Sequence, residues 1–450
     1  MSYIEDTVSK KLNWAKENPS LCFFPYTGLD LRLAPIANGK LKVSCCCNLE
    51  NTPIVDQVTS DPFLDLKQKL GGPQLPSNCA RCIDEENSGG VSERIRNILA
   101  TDINDLYEFA KSRKVKEFEL RVLFSNVCNL SCRSCEPYSS STYAKITANN
   151  EVNHLELDIT DIDSYWNLII QTILSKVNEC DRFYIHFMGG EPLLHHGNKK
   201  LVDWLIHNQL NDRVNLRITT SINISFKKDF LEKIDKFRAV DLILSIDGVH
   251  NNYHYVRWPA RFEKTIANLN EVVQYKKASK SNTYFSYILS PVFSLNNILY
   301  LLEYLDFWHS WMKENDIKLY FLNTNLLYRT RHLDIQALPK RYRYAVSQVV
   351  DSAINHDIIK EYPNDMVHLY NFLKSAQQEL ITWEENNLLW DKFLAHTAEF
   401  DVRTNVSFDI YNKLLYNILN DHDKQLFSNK LGLVNKTQKI KIYTNDYFQI

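Results

Sequence analysis

Three cysteines within eight residues constrain this chain more than any other feature. The run Ser125-Asn126-Val127-Cys128-Asn129-Leu130-Ser131-Cys132-Arg133-Ser134-Cys135 spaces them C-x3-C-x2-C, directly after a stretch that reads as a strand. Thiolates this close can each take a different iron of a [4Fe–4S] cluster, a group held by cysteine sulfur. Three ligands leave the fourth iron open to another molecule. Zinc modules normally pair two C-x2-C halves, so a lone triple suits zinc poorly.

The surroundings of that run are those of a globular protein. The 450 residues suffice for two or three domains, with 44% apolar and 24% charged residues. A net charge of −2 gives no electrostatic reason to expect nucleic acid as a partner. The first residues lack a basic region followed by an apolar run, and no apolar stretch reaches the ~18 residues that span a membrane. The expectation is a cytoplasmic protein with no membrane partner. In that reducing compartment its ten cysteines suggest metal ligands more than disulfides.

After the cysteine run the chain alternates strand and helix signals. Phe118, Leu120, Val122 and Phe124 alternate with Glu117, Glu119 and Arg121, which predicts a half-exposed strand at the edge of an open sheet. A helix with Trp166, Ile169, Ile170, Ile173, Leu174 and Val177 at helical spacing leads to the apolar run Phe183–Met188. That run ends in Gly189-Gly190-Glu191-Pro192. Glycine is scarce, 11 in all, so a pair at a strand end points to close backbone approach. Strand Val214–Thr219 runs into Asn223. Strand Val240–Leu244 ends in Ser245-Ile246-Asp247-Gly248, with Arg257 ten residues past Asp247. Strands Tyr284–Leu289 and Ile317–Leu322 complete six, each after a helical segment. Such units in series build a parallel curved sheet, so the predicted fold is α/β, a partial (β/α)6 barrel over 101–335. Cys180, between a helix and a strand, reads as packing.

Residues 1–100 form a second cysteine-rich module. Leu29, Leu31 and Leu33 alternate as in a strand, Asn38-Gly39-Lys40 signals a hairpin turn, and Leu41–Ser44 returns into Cys45, Cys46 and Cys47. A C-x2-C knuckle follows at Cys79 and Cys82. With Cys22, these supply a four-thiolate site that suits either zinc or an iron–sulfur cluster. Adjacent strand residues face opposite ways, and Cys45, first past the strand, is the predicted fourth ligand. Residues 336–450 read as mostly helical, with aromatic stripes through Tyr342, Tyr344, Tyr370, Phe372, Trp383, Trp390 and Phe393 assigned to packing.

Over about 22–335 the sequence resembles the radical S-adenosylmethionine (SAM) enzymes, and its N-terminal part resembles their twitch/SPASM auxiliary-cluster modules, which usually follow the barrel. The resemblance implies that Cys128, Cys132 and Cys135 hold a [4Fe–4S] cluster whose open iron chelates SAM. It also implies a reductively formed 5′-deoxyadenosyl radical that abstracts hydrogen from substrate. Gly189, Gly190 and Glu191 would meet the SAM amino group, and Ser245 and Arg257 its carboxylate and ribose, with Asp247 of the same turn also at the cofactor. Asn223 would meet a ribose hydroxyl. Ser134 stands where the family often has an aromatic residue, leaving its backbone to bond adenine. A second cluster, or zinc, would sit on Cys22, Cys45, Cys79 and Cys82. The implied partners are an electron donor such as flavodoxin or ferredoxin and a substrate. A peptide or protein side chain is the first reading of that substrate, a small sugar, nucleoside or amine the second. A non-catalytic zinc or iron–sulfur interaction protein is the reading from another class, and the Gly189–Pro192 and Ser245–Gly248 turns speak against it.

Overall fold

The computed structural model describes residues 2–32, 41–46, 54–55, 62–87, 92–147, 162–322 and 330–437. The predicted turn at Asn38–Lys40, Cys47, Gly89–Gly90 and the C-terminal end from 438 lie outside them.

Strands β1 (Gly28–Arg32), β2 (Leu41–Ser44), β3 (Ile54–Val55), β4 (Glu117–Val122), β6 (Arg182–Phe187), β7 (Val214–Thr220), β8 (Ala239–Leu244), β10 (Tyr284–Leu289) and β11 (Leu319–Phe321) form one sheet. Its order is β11-β10-β8-β7-β6-β4-β1-β2-β3. The six predicted strands run parallel, from β4 to β11. Two short strands, β5 (Ser131–Cys132) and β9 (Arg257–Trp258), pair with each other in a separate antiparallel ladder.

The expectation that β4 is an edge strand is corrected. β1 pairs with it in parallel, Asp30 opposite Arg121, so the cysteine hairpin is built onto the barrel's own sheet. The polar alternation in β4 has another cause. Asp30, Arg121, His186, Arg217, Asp241 and Ser286 occupy one register row across six strands. Glu119 sits among them, 2.9 Å from His186 Nδ1, with Arg121 Nε at 2.9 Å and Arg217 Nη1 at 3.1 Å donating to it. Burial alone would raise the Glu119 carboxyl, but Arg121, His186 and Arg217 hold it well below the usual carboxylate range. Polar residues thus pair within the sheet rather than face water. The neighbouring row, Leu120, Ile185, Leu216 and Val240, is fully buried and apolar.

The helices used below are α1 (Ser2–Glu17), α2 (Ala80–Asn87), α3 (Glu93–Ala100), α4 (Ile103–Ser112), α5 (Ser141–Thr147), α6 (Asp163–Lys176), α7 (His196–His207), α8 (Lys228–Ile234), α9 (Phe262–Ala278), α10 (Leu301–Asn315), α11 (Lys340–Ile354), α12 (Val367–Thr382), α13 (Asn387–Thr404) and α14 (Asp421–Thr437). Two helices, α3 and α4, lead into β4. Asp102 starts the second by accepting the Asn104 N–H at 2.8 Å, a side-chain cap. Helices α11 to α14 make the predicted helical C-terminal region. Tyr342, Tyr370, Phe372, Trp390 and Phe393 are buried there, whereas Tyr344 is 72% exposed and lies off the packed stripe. Among the described residues no helix is long and apolar enough to cross a membrane.

Candidate functional site

The cysteine loop leaves the C-terminal end of β4 and is bonded at nearly every residue. Ser141 Oγ accepts from Cys128 N at 3.3 Å, Thr142 Oγ1 donates to Cys128 O at 2.5 Å, and Ser140 Oγ donates to Leu130 O at 2.7 Å. The start of α5 therefore holds the first half of the loop. The second half is held by the β5–β9 ladder, which sets Cys132 directly opposite Arg257. Burial pushes the Cys128 thiol up to about 12, Cys132 next, with the Leu130 N–H pulling the other way. Burial lifts Cys135 well above the ordinary range, and Cys132 and Cys128 add to it. The three sulfurs thus share one electrostatic neighbourhood. A cationic metal group is what would relieve three crowded thiolates.

The turn Gly189–Pro192 packs against that loop. Gly190 has φ +49°, and a Cβ there would lie 2.1 Å from Val127 O; at Gly189, φ +81°, it would lie 2.9 Å from Ser125 O. Only glycine fits both the backbone conformation and the approach. The close approach is to the cysteine loop's backbone, a reason for the pair beyond ligand contact. Glu191 N–H donates to Val127 O at 2.9 Å, closing the junction. The Glu191 carboxylate is buried and committed: Oε1 accepts from Thr220 Oγ1 at 2.7 Å, and Oε2 from Ser221 Oγ at 2.8 Å and Ser221 N at 3.0 Å. It positions the end of β7.

The same β7 end carries Ile222 at φ +49°, an unusual conformation for a β-branched residue. Thr220 Oγ1 accepts its N–H at 2.9 Å and Asn268 Nδ2 donates to its carbonyl at 2.8 Å, so the neighbours over-determine the strained residue. Asn223 follows, buried, and Ser245 N–H bonds Thr220 O at 2.9 Å. The structure therefore brings Asn223 and Ser245 to adjacent strand ends. Ser134 is half-buried between Arg133 and Cys135.

Arg257 spans two partners. Its Nε lies 2.7 Å from Asp247 Oδ2, and its Nη1 reaches Cys132 Sγ at 3.6 Å. Burial works against its charge, yet Asp247 and Cys132 raise its already high pKa. Asp247 is itself buried and accepts from Val292 N at 2.9 Å. The sequence paired Asp247 and Arg257 as ligand contacts; in the structure they also hold each other and the second cysteine.

A second set of thiols gathers under β1. Cys22, Cys46, Cys79 and Cys82 line one small cavity of about 20 Å³ with Phe24, Leu75, Asn78, Glu93 and Arg94. The predicted fourth ligand is Cys45, whereas Cys46 is the residue of the pair that lines this cavity. Cys45, 1% exposed, lies beside it: a side-chain bond to Cys46 and burial raise its thiol, and Cys22 and Cys79 add to the rise. Burial raises Cys79 to about 12 and Cys22 well above the ordinary range. The Arg94 guanidinium grips Glu86 Oε2 at 2.6 Å and Oε1 at 3.0 Å. Burial raises Cys82, while the Arg94 backbone N–H stabilises its thiolate. Cys180 lies apart, with Sγ 3.4 Å from Lys176 O, as packing predicts. Among the described residues no three His, Cys, Asp or Glu side chains close on a single-ion site.

Sequence reasoning missed four contributors. Ser141, Thr142 and the Thr220–Ser221 pair act through hydroxyls that carry no motif. Arg133, inside the cysteine run, is almost fully buried. A charged residue between two cysteines of the triple was the available signal.

Residues 122–305 match the family model described as the Radical SAM superfamily. Three solved structures align at low similarity. Native anSMEcpe with bound AdoMet shares 17% identity over 55% of this chain and 61% of that one, at a TM-score of 0.36. The same protein with AdoMet and the Cp18Cys peptide shares 17% over 54% and 61%, at 0.37. Streptococcus suis SuiB bound to S-adenosylmethionine shares 13% over 68% and 64%, at 0.32. The chain thus spans about three fifths of these proteins' length. No curated protein matches it.

Proposed function

We propose that this chain, whose residues 122–305 carry a radical SAM domain, is a SAM-dependent enzyme that activates a substrate C–H bond. The carrying observation is the gathering of Cys128, Cys132 and Cys135 in one loop, clamped between the Gly189–Pro192 turn and β9. When bound there, a [4Fe–4S] cluster and SAM supply a 5′-deoxyadenosyl radical that can remove a hydrogen atom. The chain's part is placement. Gly189 and Gly190 keep the turn against the cysteine loop and offer backbone to the SAM amino group. Glu191 fixes Thr220 and Ser221, and through them the β7 end that presents Asn223 to a ribose. Arg257, anchored by Asp247, keeps a positive charge beside Cys132 and favours its thiolate; its fork also suits the SAM carboxylate. Ser134 presents backbone to the adenine.

The second thiol set, Cys22, Cys46, Cys79 and Cys82, is read as an auxiliary iron–sulfur site. Zinc is the alternative, since four thiolates suit either group. A second cysteine centre beside the barrel supports a peptide or protein side chain as substrate, as in the auxiliary-cluster enzymes it resembles, with a small reductant protein as electron donor.

The test is anaerobic reconstitution followed by metal analysis and a SAM cleavage assay. About eight irons and reductant-dependent 5′-deoxyadenosine are expected. Cleavage that persists after Cys128, Cys132 and Cys135 all become Ala would overturn the reading. Zinc without extra iron would move the second centre to its alternative.

A further inference from the structure

Helix α13 lies beyond the matched family segment and touches the cysteine loop. The contact centres on Arg133, between Cys132 and Cys135. Its guanidinium is sandwiched between the Tyr255 ring, 3.6 Å from the centroid, and the Phe400 ring, at 4.8 Å. Its Nη2 pairs with Asp401, its Nε donates to Tyr255 O at 2.9 Å, and its backbone N–H donates to Val256 O at 2.9 Å. Arg133 and Asp401 are 1% and 3% exposed at their side chains. Asp401 Oδ2 also accepts the Phe408 N–H at 2.7 Å, which fixes the carboxylate from its far side. One turn along the same helix face, Arg403 Nη1 donates to Ile146 O at 2.7 Å, and the Phe400 ring meets Tyr143 at 5.8 Å. Those two contacts seize α5, the helix whose first turn binds Cys128. The run Glu399–Arg403 thus grips both supports of the cysteine triple.

We infer that α13 is a clamp for the cysteine loop, with Arg133, Phe400, Asp401 and Arg403 as positioning residues that fix the spacing of Cys128, Cys132 and Cys135. This rests on reading 128–135 as the cluster loop. The physics favours a specific device over general packing. Burying a guanidinium this deeply is costly without a carboxylate at contact, and removing that partner leaves an uncompensated charge beside two cysteines. The flat fork held between two rings also has one orientation, so it locks the backbone on both sides of residue 133.

The test is hydrogen exchange by mass spectrometry on the full chain, with and without iron, together with iron retention in a Cys79→Ala/Cys82→Ala background. Asp401→Asn is compared with Asp423→Asn. Asp423 is an equally buried carboxylate of the C-terminal region, held by Arg341 Nη2 at 2.6 Å and by Tyr342. Asp401→Asn is expected to speed exchange of 128–135 and 141–147 by about tenfold or more. It should leave 214–220 unchanged and lower the iron kept on the triple. Asp423→Asn should loosen 421–437 and leave the cysteine loop alone. Wild-type exchange at 128–135 in Asp401→Asn would overturn the clamp, as would equal loosening by Asp423→Asn. Should Asp401→Asn not fold, Arg403→Ala, which cuts the tie to Ile146, is read in the same way. A wild-type triple that takes no iron overturns the proposed function, while the exchange data still decide the clamp.

Discussion

The two cysteine centres are built on opposite plans. Cys128, Cys132 and Cys135 come from one short loop, and neighbouring elements only tighten it: α5 by hydroxyls, β9 by a ladder, the Gly189–Pro192 turn by close approach. Cys22, Cys46, Cys79 and Cys82 come from three separate segments. They meet because β1 joins the barrel sheet and because Arg94 ties α3 to Glu86 on α2. The first centre is local and reinforced; the second exists only once the chain has folded. A local centre needs little loop closure, whereas a dispersed one must offset the ordering of every segment that supplies a ligand.

The largest expected effect separates the plans outright. Replacing Cys132 by Ala should reduce 5′-deoxyadenosine formation to background and remove the iron of that loop, leaving metal at the second centre. Metal analysis and a SAM cleavage assay read both. Loss of metal at both centres would mean that they assemble as one unit.

Next in size is Gly190→Ala. The new Cβ would meet Val127 O at 2.1 Å from a residue at φ +49°. Overpacking and backbone strain together are expected to cost about 2–4 kcal/mol, read as a lower thermal midpoint with reduced iron on the loop. An unchanged midpoint would show that the turn and the cysteine loop are not tightly joined.

The second centre is sharpened by a neighbouring pair. Cys46→Ala should abolish metal binding at the auxiliary site. Cys45→Ala should keep the metal and cost about 1 kcal/mol in stability, as a small core truncation does. The reverse pattern would restore Cys45 as ligand.

The smallest effect concerns acid, and only the catalytic loop's cover. Burial, with His332 and Arg133 adding repulsion, lowers the His396 imidazole on α13 to about 3. The unfolded value is about 6.5, so the folded chain binds fewer protons below it. The stabilisation from a neutral His396 is complete above about pH 6.5 and is lost as pH falls toward 3. His396→Phe should flatten that part of the stability curve, measured by the thermal midpoint from pH 7 to 4, while metal at the second centre is unaffected. An identical acid slope would place the sensitivity elsewhere.

Much of the barrel half was legible because its signals are short-range. The triple, the glycine pair and the six strands each declare themselves within a few residues, by thiol spacing, by glycine at a strand end and by apolar periodicity. What was misread depended on neighbours distant in sequence. Glu119 and Arg121 look solvent-facing until His186 and Arg217 arrive from other strands. Cys45 and Cys46 are equivalent until Cys22, Cys79 and Cys82 arrive from other segments and Cys46 lines the cavity with them. Arg133 looks like a surface charge until Asp401 arrives 268 residues later.

The sequence by itself determined that this chain carries a cysteine loop and a glycine turn at the ends of adjacent strands of a parallel sheet. Local covalent spacing and side-chain periodicity specify such features without reference to the remainder. Only the tertiary structure decided that the hairpin shares the barrel's sheet, that Cys46 faces the other thiols, and that α13 closes over residue 133. Burial and charge pairing are properties of the assembled neighbourhood. A buried charge or thiol takes its role from whichever segment the fold brings against it.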